Sequence, residues 1–102
     1  MPISPLQLDF ANHRATATSD DIRKLCEEVV KYGFHTAFVN PSYVKHATSI
    51  LKGRAKVGCV ISFPLGADAT SVKMAATNRA VSDGADELDI VPNLGIYLSG
   101  DK

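Results

Sequence analysis

Short runs of apolar and β-branched residues alternate along this chain with stretches whose apolar residues recur every three or four positions. The first pattern is typical of β-strands, and the second is typical of helices that bury one face. Strands that alternate with helices are joined by right-handed crossovers, which place successive strands parallel in one sheet. This alternation of strands and helices therefore predicts an α/β fold. By itself it does not distinguish an open α/β layer from part of a barrel.

Three amphipathic helices are predicted from their caps and apolar stripes. The first is capped by Ser19, carries acidic residues in its first turn and ends at Gly33. The second begins at Asn40-Pro41 and ends at Gly53, and the third runs from about residue 70 to residue 82. The predicted buried stripes of the three helices are, in order, Ile22, Leu25, Cys26, Val29 and Val30; Tyr43, Val44, Ala47, Ile50 and Leu51; and Val72, Ala75, Ala76 and Ala80.

Four strands are predicted, over residues 6–10, 34–39, 56–63 and 87–91. The third is apolar along most of its length, which is typical of a strand buried on both faces. Residues 94–102 are expected to begin a further helix.

The composition excludes several classes of protein. Eleven Lys and Arg residues balance eleven Asp and Glu residues in the 102-residue chain, so no nucleic-acid or anionic-membrane partner is expected. Two cysteines are too few for a disulfide scaffold, and no apolar run is long enough to span a membrane. The first residues lack the pattern of a secretory signal, so a cytoplasmic location is expected.

Asp89 is the most informative candidate for chemistry, because reactive groups in parallel sheets gather at the carboxyl ends of strands. It lies between apolar neighbours on a strand expected to be enclosed on both faces. Burial would raise the pKa of its carboxyl group toward a value useful for proton transfer. A structural role, as a loop cap or a partner of a lysine, is the other interpretation. Asp9 on the first predicted strand has the same two interpretations.

The remaining candidates favour structural roles. His13, His35 and His46 have no metal-ligand spacing, and Cys26 and Cys59 fall on apolar stripes as core thiols. No phosphate-binding or dinucleotide-binding glycine motif is present. The residues therefore predict neither a metal nor a cofactor. The lysines at 24, 31, 45, 52 and 73 fall on predicted helices, and Lys56 enters its strand at the end away from the carboxyl edge.

Three segments together resemble the deoxyribose-phosphate aldolase family. Residues 34–44 (FHTAFVNPSYV) resemble its YGF…VNPxYV stretch, and residues 60–67 (VISFPLGA) its VIGFPLGA turn. Residues 84–91 (GADELDIV), followed by Asn93, Gly95 and Ser99-Gly100, resemble its GADEIDMVxNxGxxxSG segment. The resemblance runs in order from about Leu8 to Gly100.

This resemblance implies the N-terminal half of a TIM (β/α)8 barrel, since a whole barrel needs about 250 residues. Residues 1–102 are then expected to form one partial domain with four strands and three complete helices. The family's reaction is the reversible cleavage of 2-deoxyribose 5-phosphate to acetaldehyde and glyceraldehyde 3-phosphate, in deoxyribonucleoside catabolism. It proceeds through a lysine Schiff base without a metal or cofactor. The family's proton-relay aspartate corresponds to Asp89, and Asp9 resembles an aspartate beside its substrate pocket.

The family's Schiff-base lysine belongs to the other half of its barrel, so this chain alone is expected to be inactive. Ala11, Phe38 and Ser62 also differ from the family pattern. A half-barrel leaves two strand edges open, which predicts self-association of the chain. The alternatives are a non-catalytic half-barrel or self-assembling scaffold and, as a third possibility, a sugar-phosphate binding module.

Overall fold

A computed structural model describes residues 3–100, so residues 1, 2, 101 and 102, including the end of the predicted last helix, lie outside it. The strands are β1 (Asp9–Asn12), β2 (Thr36–Val39), β3 (Lys56–Ile61) and β4 (Glu87–Ile90). The helices are α1 (Ser19–Tyr32), α2 (Val44–Leu51), α3 (Thr70–Ser82) and α4 (Leu94–Leu98), with short 3-10 turns at Pro5–Gln7 and Pro41–Tyr43.

The four strands form one parallel sheet in the order β1-β2-β3-β4. A doubly wound sheet reverses its strand order part-way, whereas a barrel adds each strand beside the previous one. Successive right-handed crossovers in one direction also place all the helices on the same face of the sheet. The sequence pattern was compatible with an open α/β layer and with part of a barrel. The strand order favours part of a barrel.

The core lies between the sheet and the helices. Alternate strand residues, among them Ala37, Val39, Cys59 and Ile61, pack there and are fully buried. Since side chains alternate across a strand, the intervening residues lie on the opposite face, which we call the open face. The open-face residues are Asp9, Ala11, Thr36, Phe38, Lys56, Gly58, Val60, Glu87 and Asp89.

Helix α1 confirms the predicted stripe, because Ile22, Leu25, Cys26 and Val29 are buried. Gly33 ends the helix in the left-handed conformation, with φ of 72°. The cap is Thr18 rather than Ser19: its hydroxyl accepts a hydrogen bond from the Asp21 backbone N–H, and the Asp21 carboxylate accepts one from the Thr18 N–H. This reciprocal pair makes Ser19 the first helical residue.

The predicted bounds of β1 and β3 were wrong. Ser4 caps a 3-10 turn that begins at Pro5, and this turn takes residues 5–7 out of the first strand. β3 ends at Ile61 because Ser62 has a positive φ of 60°, which an extended strand cannot continue. The predicted buried face of α3 was also partly wrong. Ala80 is buried, whereas Val72 and Ala75 are exposed.

No helix among residues 3–100 is long and apolar enough to cross a membrane.

Candidate functional site

The loops at the carboxyl edge of the sheet contact one another across three strands. After β1, the backbone carbonyl of Arg14 accepts a hydrogen bond from the Asn40 side-chain amide, which follows β2, at 3.1 Å. The ring of His13 packs against the ring of Phe63, which follows β3, with centroids 4.4 Å apart. Asn40 is thus a link between loops rather than the predicted helix cap, since it makes no side-chain cap hydrogen bond.

The β3–α3 loop is held by its own contacts. The Ser62 hydroxyl donates to the Asp68 carboxylate at 2.9 Å, and the Gly66 N–H donates to the Ser62 carbonyl at 2.7 Å. Gly66 has a φ of 67°, and a Cβ added there would lie 2.1 Å from the backbone oxygen of Pro92. Glycine is required at this position, because the loop touches the segment that follows β4.

Lys73 supports the same end of β4 from α3. Its ammonium group donates to the backbone carbonyl of Val91 at 2.9 Å, and the Val91 N–H donates to the Ile61 carbonyl at 3.1 Å. The end of the strand that carries Asp89 is therefore fixed by β3 on one side and by a charged donor from α3.

Asp89 lies on the open face, paired in register with Val60 of β3. Its predicted burial was wrong, because the side chain is exposed. The reason is its position in the sheet: β4 is an edge strand that pairs only with β3 among the described residues. Within residues 3–100, its carboxylate forms no hydrogen bond or ion pair.

Asp9 lies at the opposite end of the sheet from the carboxyl-edge loops. It is the first residue of β1, not one delivered to the carboxyl edge, and it pairs in register with Thr36 and through it with Lys56. Lys56 and Val60 are four residues apart on β3, which is about 13 Å along a strand. The structure therefore does not bring Asp9 and Asp89 together.

Asp9 instead belongs to a polar network at the amino end of the strands. The His35 Nδ1 atom lies 3.7 Å from the Asp9 carboxylate and 3.8 Å from the Glu87 carboxylate. The fully buried Thr36 donates its hydroxyl proton to Glu87 at 2.7 Å, and its oxygen lies 2.5 Å from His35 Nδ1.

The donor atoms of Asp9, His35 and Glu87 all lie within 4.8 Å of one another, and histidine and carboxylates are a possible ligand set for a divalent cation. The His35 nitrogen is already hydrogen-bonded to Thr36, so the group is a closed network rather than an open set of ligands. Sequence reasoning missed Glu87, whereas it favoured a structural role for His35. The available signal for Glu87 was its position two residues before Asp89, which places both carboxylates on one face of a strand.

The two cysteines have the core roles predicted for them. Both are free and fully buried, and burial raises the pKa of each thiol from 9.0 to about 11. A thiol with so high a pKa is protonated near neutral pH and is a poor nucleophile.

Phe38 shapes the middle of the open face. It pairs in register with Ala11 of β1 and Gly58 of β3, and a Cβ added to Gly58 would lie 2.5 Å from its ring. The aromatic ring therefore occupies space left by two small neighbours on the adjacent strands.

No protein-family model matches the chain. Individual proteins do. The chain is 46% identical over 95 residues to a deoxyribose-phosphate aldolase of Aciduliprofundum boonei and 47% identical over 97 residues to one of Thermococcus gammatolerans. Each match covers 92% of this chain and 43% of the relative.

Solved structures give the same result. A putative deoxyribose-phosphate aldolase from Coccidioides immitis superposes with a TM-score of 0.86 at 39% identity, covering 92% of this chain and 37% of that one. The chain is homologous to part of the deoxyribose-phosphate aldolases. The aldolase from Aeropyrum pernix, described as a unique tetramer, superposes with a TM-score of 0.83 at 34% identity, covering 91% of this chain and 42% of that one.

The homology to deoxyribose-phosphate aldolases confirms the predicted fold class. Four parallel strands in sequential order, superposed on about 40% of a TIM-barrel aldolase, make half of such a barrel. The chain spans less than half the length of the curated relatives that it matches.

Proposed function

We propose that this chain is the acid-bearing half-barrel of a class I aldolase of the deoxyribose-phosphate aldolase type. The proposed reaction is the reversible cleavage of 2-deoxyribose 5-phosphate to acetaldehyde and glyceraldehyde 3-phosphate, in the cytoplasm and in deoxyribonucleoside catabolism. Asp89 is proposed as the proton relay, and a lysine outside this chain as the amine that forms the Schiff base. Asp9, at the amino end of β1, is left out of the proposed substrate site because it lies at the opposite end of the strands from the carboxyl-edge loops. No metal or cofactor takes part.

The placement of Asp89 is the observation that supports this proposal most strongly. Its carboxylate is on the open face, near the carboxyl end of β4, where TIM-barrel enzymes hold their catalytic groups. The Lys73 ammonium and the Gly66 backbone support the residues just after it. A carboxylate that lies on a supported strand, with no other partner within residues 3–100, is suited to exchange protons with a bound reactant.

The lysines explain why the chain alone is expected to be inactive. An amine that forms a Schiff base must lose its proton, which requires burial or a neighbouring cation. Five of the six lysines within residues 3–100 are exposed. The sixth, Lys73, is partly buried but donates to the Val91 carbonyl. None is placed to act as a nucleophile on the open face beside Asp89.

The test is borohydride reduction in the presence of 2-deoxyribose 5-phosphate or acetaldehyde, followed by intact mass. The Thermococcus gammatolerans relative serves as the positive control. We expect no adduct on this chain under conditions that label the control. An adduct on any lysine of this chain would overturn the assignment of the amine to another segment.

Within residues 3–100, the outer edges of β1 and β4 pair with no other strand, which supports a second part of the proposal, that the chain self-associates when it is alone. Light scattering tests it. A mass above that of one 10.9 kDa chain is expected, and a mass of one chain at every concentration would contradict it.

A non-catalytic half-barrel is the alternative function, and the exposure of Asp89 favours it, because nothing within residues 3–100 encloses the carboxylate. The two functions are distinguished by supplying the other half of the barrel. Cleavage of 2-deoxyribose 5-phosphate that depends on Asp89 is expected if the chain is an aldolase half-barrel, and no cleavage is expected if it is a non-catalytic one.

A further inference from the structure

The ring contact between His13 and Phe63 joins two loops that do not follow neighbouring strands. Adjacent strands lie about 4.8 Å apart, so β1 and β3, with β2 between them, would be about 10 Å apart in a flat sheet. The centroids of the two rings are nevertheless 4.4 Å apart. The two side chains therefore lean toward each other across the end of β2.

The position of His13 along the chain places its ring at the mouth of the open face. His13 lies two residues after Ala11, an open-face residue, so it continues that side of β1 one residue past the end of the strand. Phe63 lies three residues after Val60, the register partner of Asp89, which is at most about 11 Å along the chain. The pair of rings thus lies beyond Asp89 at the carboxyl edge, where TIM-barrel enzymes hold their active sites.

The imidazole of His13 differs from those of the other two histidines in its hydrogen bonding. His35 Nδ1 lies 2.5 Å from the hydroxyl oxygen of Thr36, and His46 Nε2 lies 3.2 Å from the backbone oxygen of Ser19. Within residues 3–100, neither ring nitrogen of His13 forms a hydrogen bond or an ion pair. A neutral imidazole has one N–H donor and one acceptor nitrogen. The half-buried ring of His13 therefore offers both groups to a ligand at the mouth.

The loop that carries His13 is held in place by its own contacts. The backbone carbonyl of Arg14 accepts a hydrogen bond from the Asn40 side-chain amide at 3.1 Å, and the Arg14 N–H donates to the Asn12 side-chain oxygen at 3.4 Å. The imidazole itself packs against the Phe63 ring. A side chain that is already positioned loses little conformational freedom when it binds a ligand.

We propose that His13 is a specificity-determining residue that binds an oxygen atom of the acceptor half of the substrate, the half released as glyceraldehyde 3-phosphate. This half carries a hydroxyl group and a phosphate group, and the oxygen of either can accept a hydrogen bond from the imidazole N–H. The inference rests on the proposed function and deepens it, because His13 then selects among acceptor aldehydes. A site built to form such a bond rejects an aldehyde that lacks the oxygen.

The contact between the two rings is tested in the chain alone by proton NMR. The ring signals of His13 are assigned as those that disappear in His13→Leu. Phe63→Leu should shift these signals, because the ring current of the aromatic neighbour is removed, and should leave the signals of His46 in place. Unmoved His13 signals would show that the contact is absent, and the inference would be overturned.

Acceptor choice is measured in a single chain in which this protein replaces the matched segment of the Thermococcus gammatolerans relative. Acetaldehyde is added to glyceraldehyde 3-phosphate, to glyceraldehyde, which lacks the phosphate, and to propanal, which lacks both groups. We expect His13→Leu to lower kcat/KM about tenfold or more for glyceraldehyde 3-phosphate and to leave it unchanged for propanal. His13→Gln keeps an N–H donor and should restore part of the loss. His46→Leu, on α2, is the matched control and should change none of the three values.

The result with glyceraldehyde identifies the oxygen atom. A loss with this acceptor assigns the hydroxyl group, an unchanged value assigns the phosphate group, and both support the inference. It is overturned if His13→Leu lowers kcat/KM equally for all three acceptors, as a purely structural role would, or for none.

A folded chimera that adds acetaldehyde to none of the acceptors would contradict the proposed function and not the role of His13. Binding then provides the test, because glyceraldehyde 3-phosphate should shift the ring signals of His13 in the chimera and leave those of His46 in place. His13 signals that do not move at saturating glyceraldehyde 3-phosphate would overturn the inference.

Discussion

Gly66 offers the sharpest test of how the carboxyl end of β4 is held. Its φ is 67°, and a Cβ would lie 2.1 Å from the Pro92 oxygen and 2.7 Å from a methyl carbon of Val91. Gly33 is the matched control, because its φ of 72° is nearly the same and nothing lies within 4 Å of its Cβ position. Gly33→Ala therefore measures the cost of the left-handed conformation alone, about 1 kcal/mol.

Gly66→Ala adds a contact with backbone atoms that no side-chain rotation relieves. Overpacking of this kind costs about 1–3 kcal/mol, so the total destabilisation is about 2–4 kcal/mol. Urea unfolding followed by circular dichroism measures both variants. If Gly66→Ala destabilises the chain no more than Gly33→Ala does, the β3–α3 loop does not touch the segment after β4.

Two further predictions concern the same fold. Lys73→Met should lower the free energy of unfolding by about 1–2 kcal/mol, because the hydrogen bond to the Val91 carbonyl is lost. The control, Lys45→Met, at an exposed position on α2, should change it by less than about 0.5 kcal/mol. Equal effects of the two substitutions in urea unfolding would contradict the contact between Lys73 and Val91. Burial raises the pKa of the Cys26 and Cys59 thiols from 9.0 to about 11, so the folded chain binds more protons than the unfolded chain between these values. The free energy of unfolding should therefore fall as pH rises from about 9 to about 11, and Cys59→Ala should flatten the decline; an unchanged slope would contradict the shift.

The elements that were predicted well are those whose signals are local. The α1 stripe and Gly33 follow from the helical period and from the left-handed conformation that glycine accepts. The apolar run of β3 reflects a central strand, which has a neighbour on each side.

The wrong predictions have a common cause. Each concerns the burial or the contacts of a residue, which depend on the neighbouring elements and not on the local sequence. The residues flanking Asp89 look like those of an enclosed strand, but exposure is decided by whether another strand pairs with β4. Val72 is apolar and in phase with a helix, yet it is exposed at the end of the half-barrel. The cluster of Asp9, His35 and Glu87 joins residues far apart in sequence, and only the register of the sheet brings them together.

The resemblance supplied what local patterns did not. The strand rhythm was compatible with an open layer and with a barrel, and the three motifs favoured the barrel. It did not place Asp9 at the amino end of its strand, because a short sequence motif does not fix where a strand begins.

A single-chain chimera shows whether this chain can serve as the acid-bearing half of an active aldolase barrel. In it, this chain replaces the matched segment of the Thermococcus gammatolerans relative, so that association between two chains no longer limits activity. Cleavage of 2-deoxyribose 5-phosphate is then measured with and without Asp89→Asn. We expect an active chimera whose kcat falls about 100-fold or more with Asp89→Asn, the usual contribution of a proton-transfer group. A folded chimera that cleaves the substrate equally well with and without the Asp89→Asn substitution would contradict it.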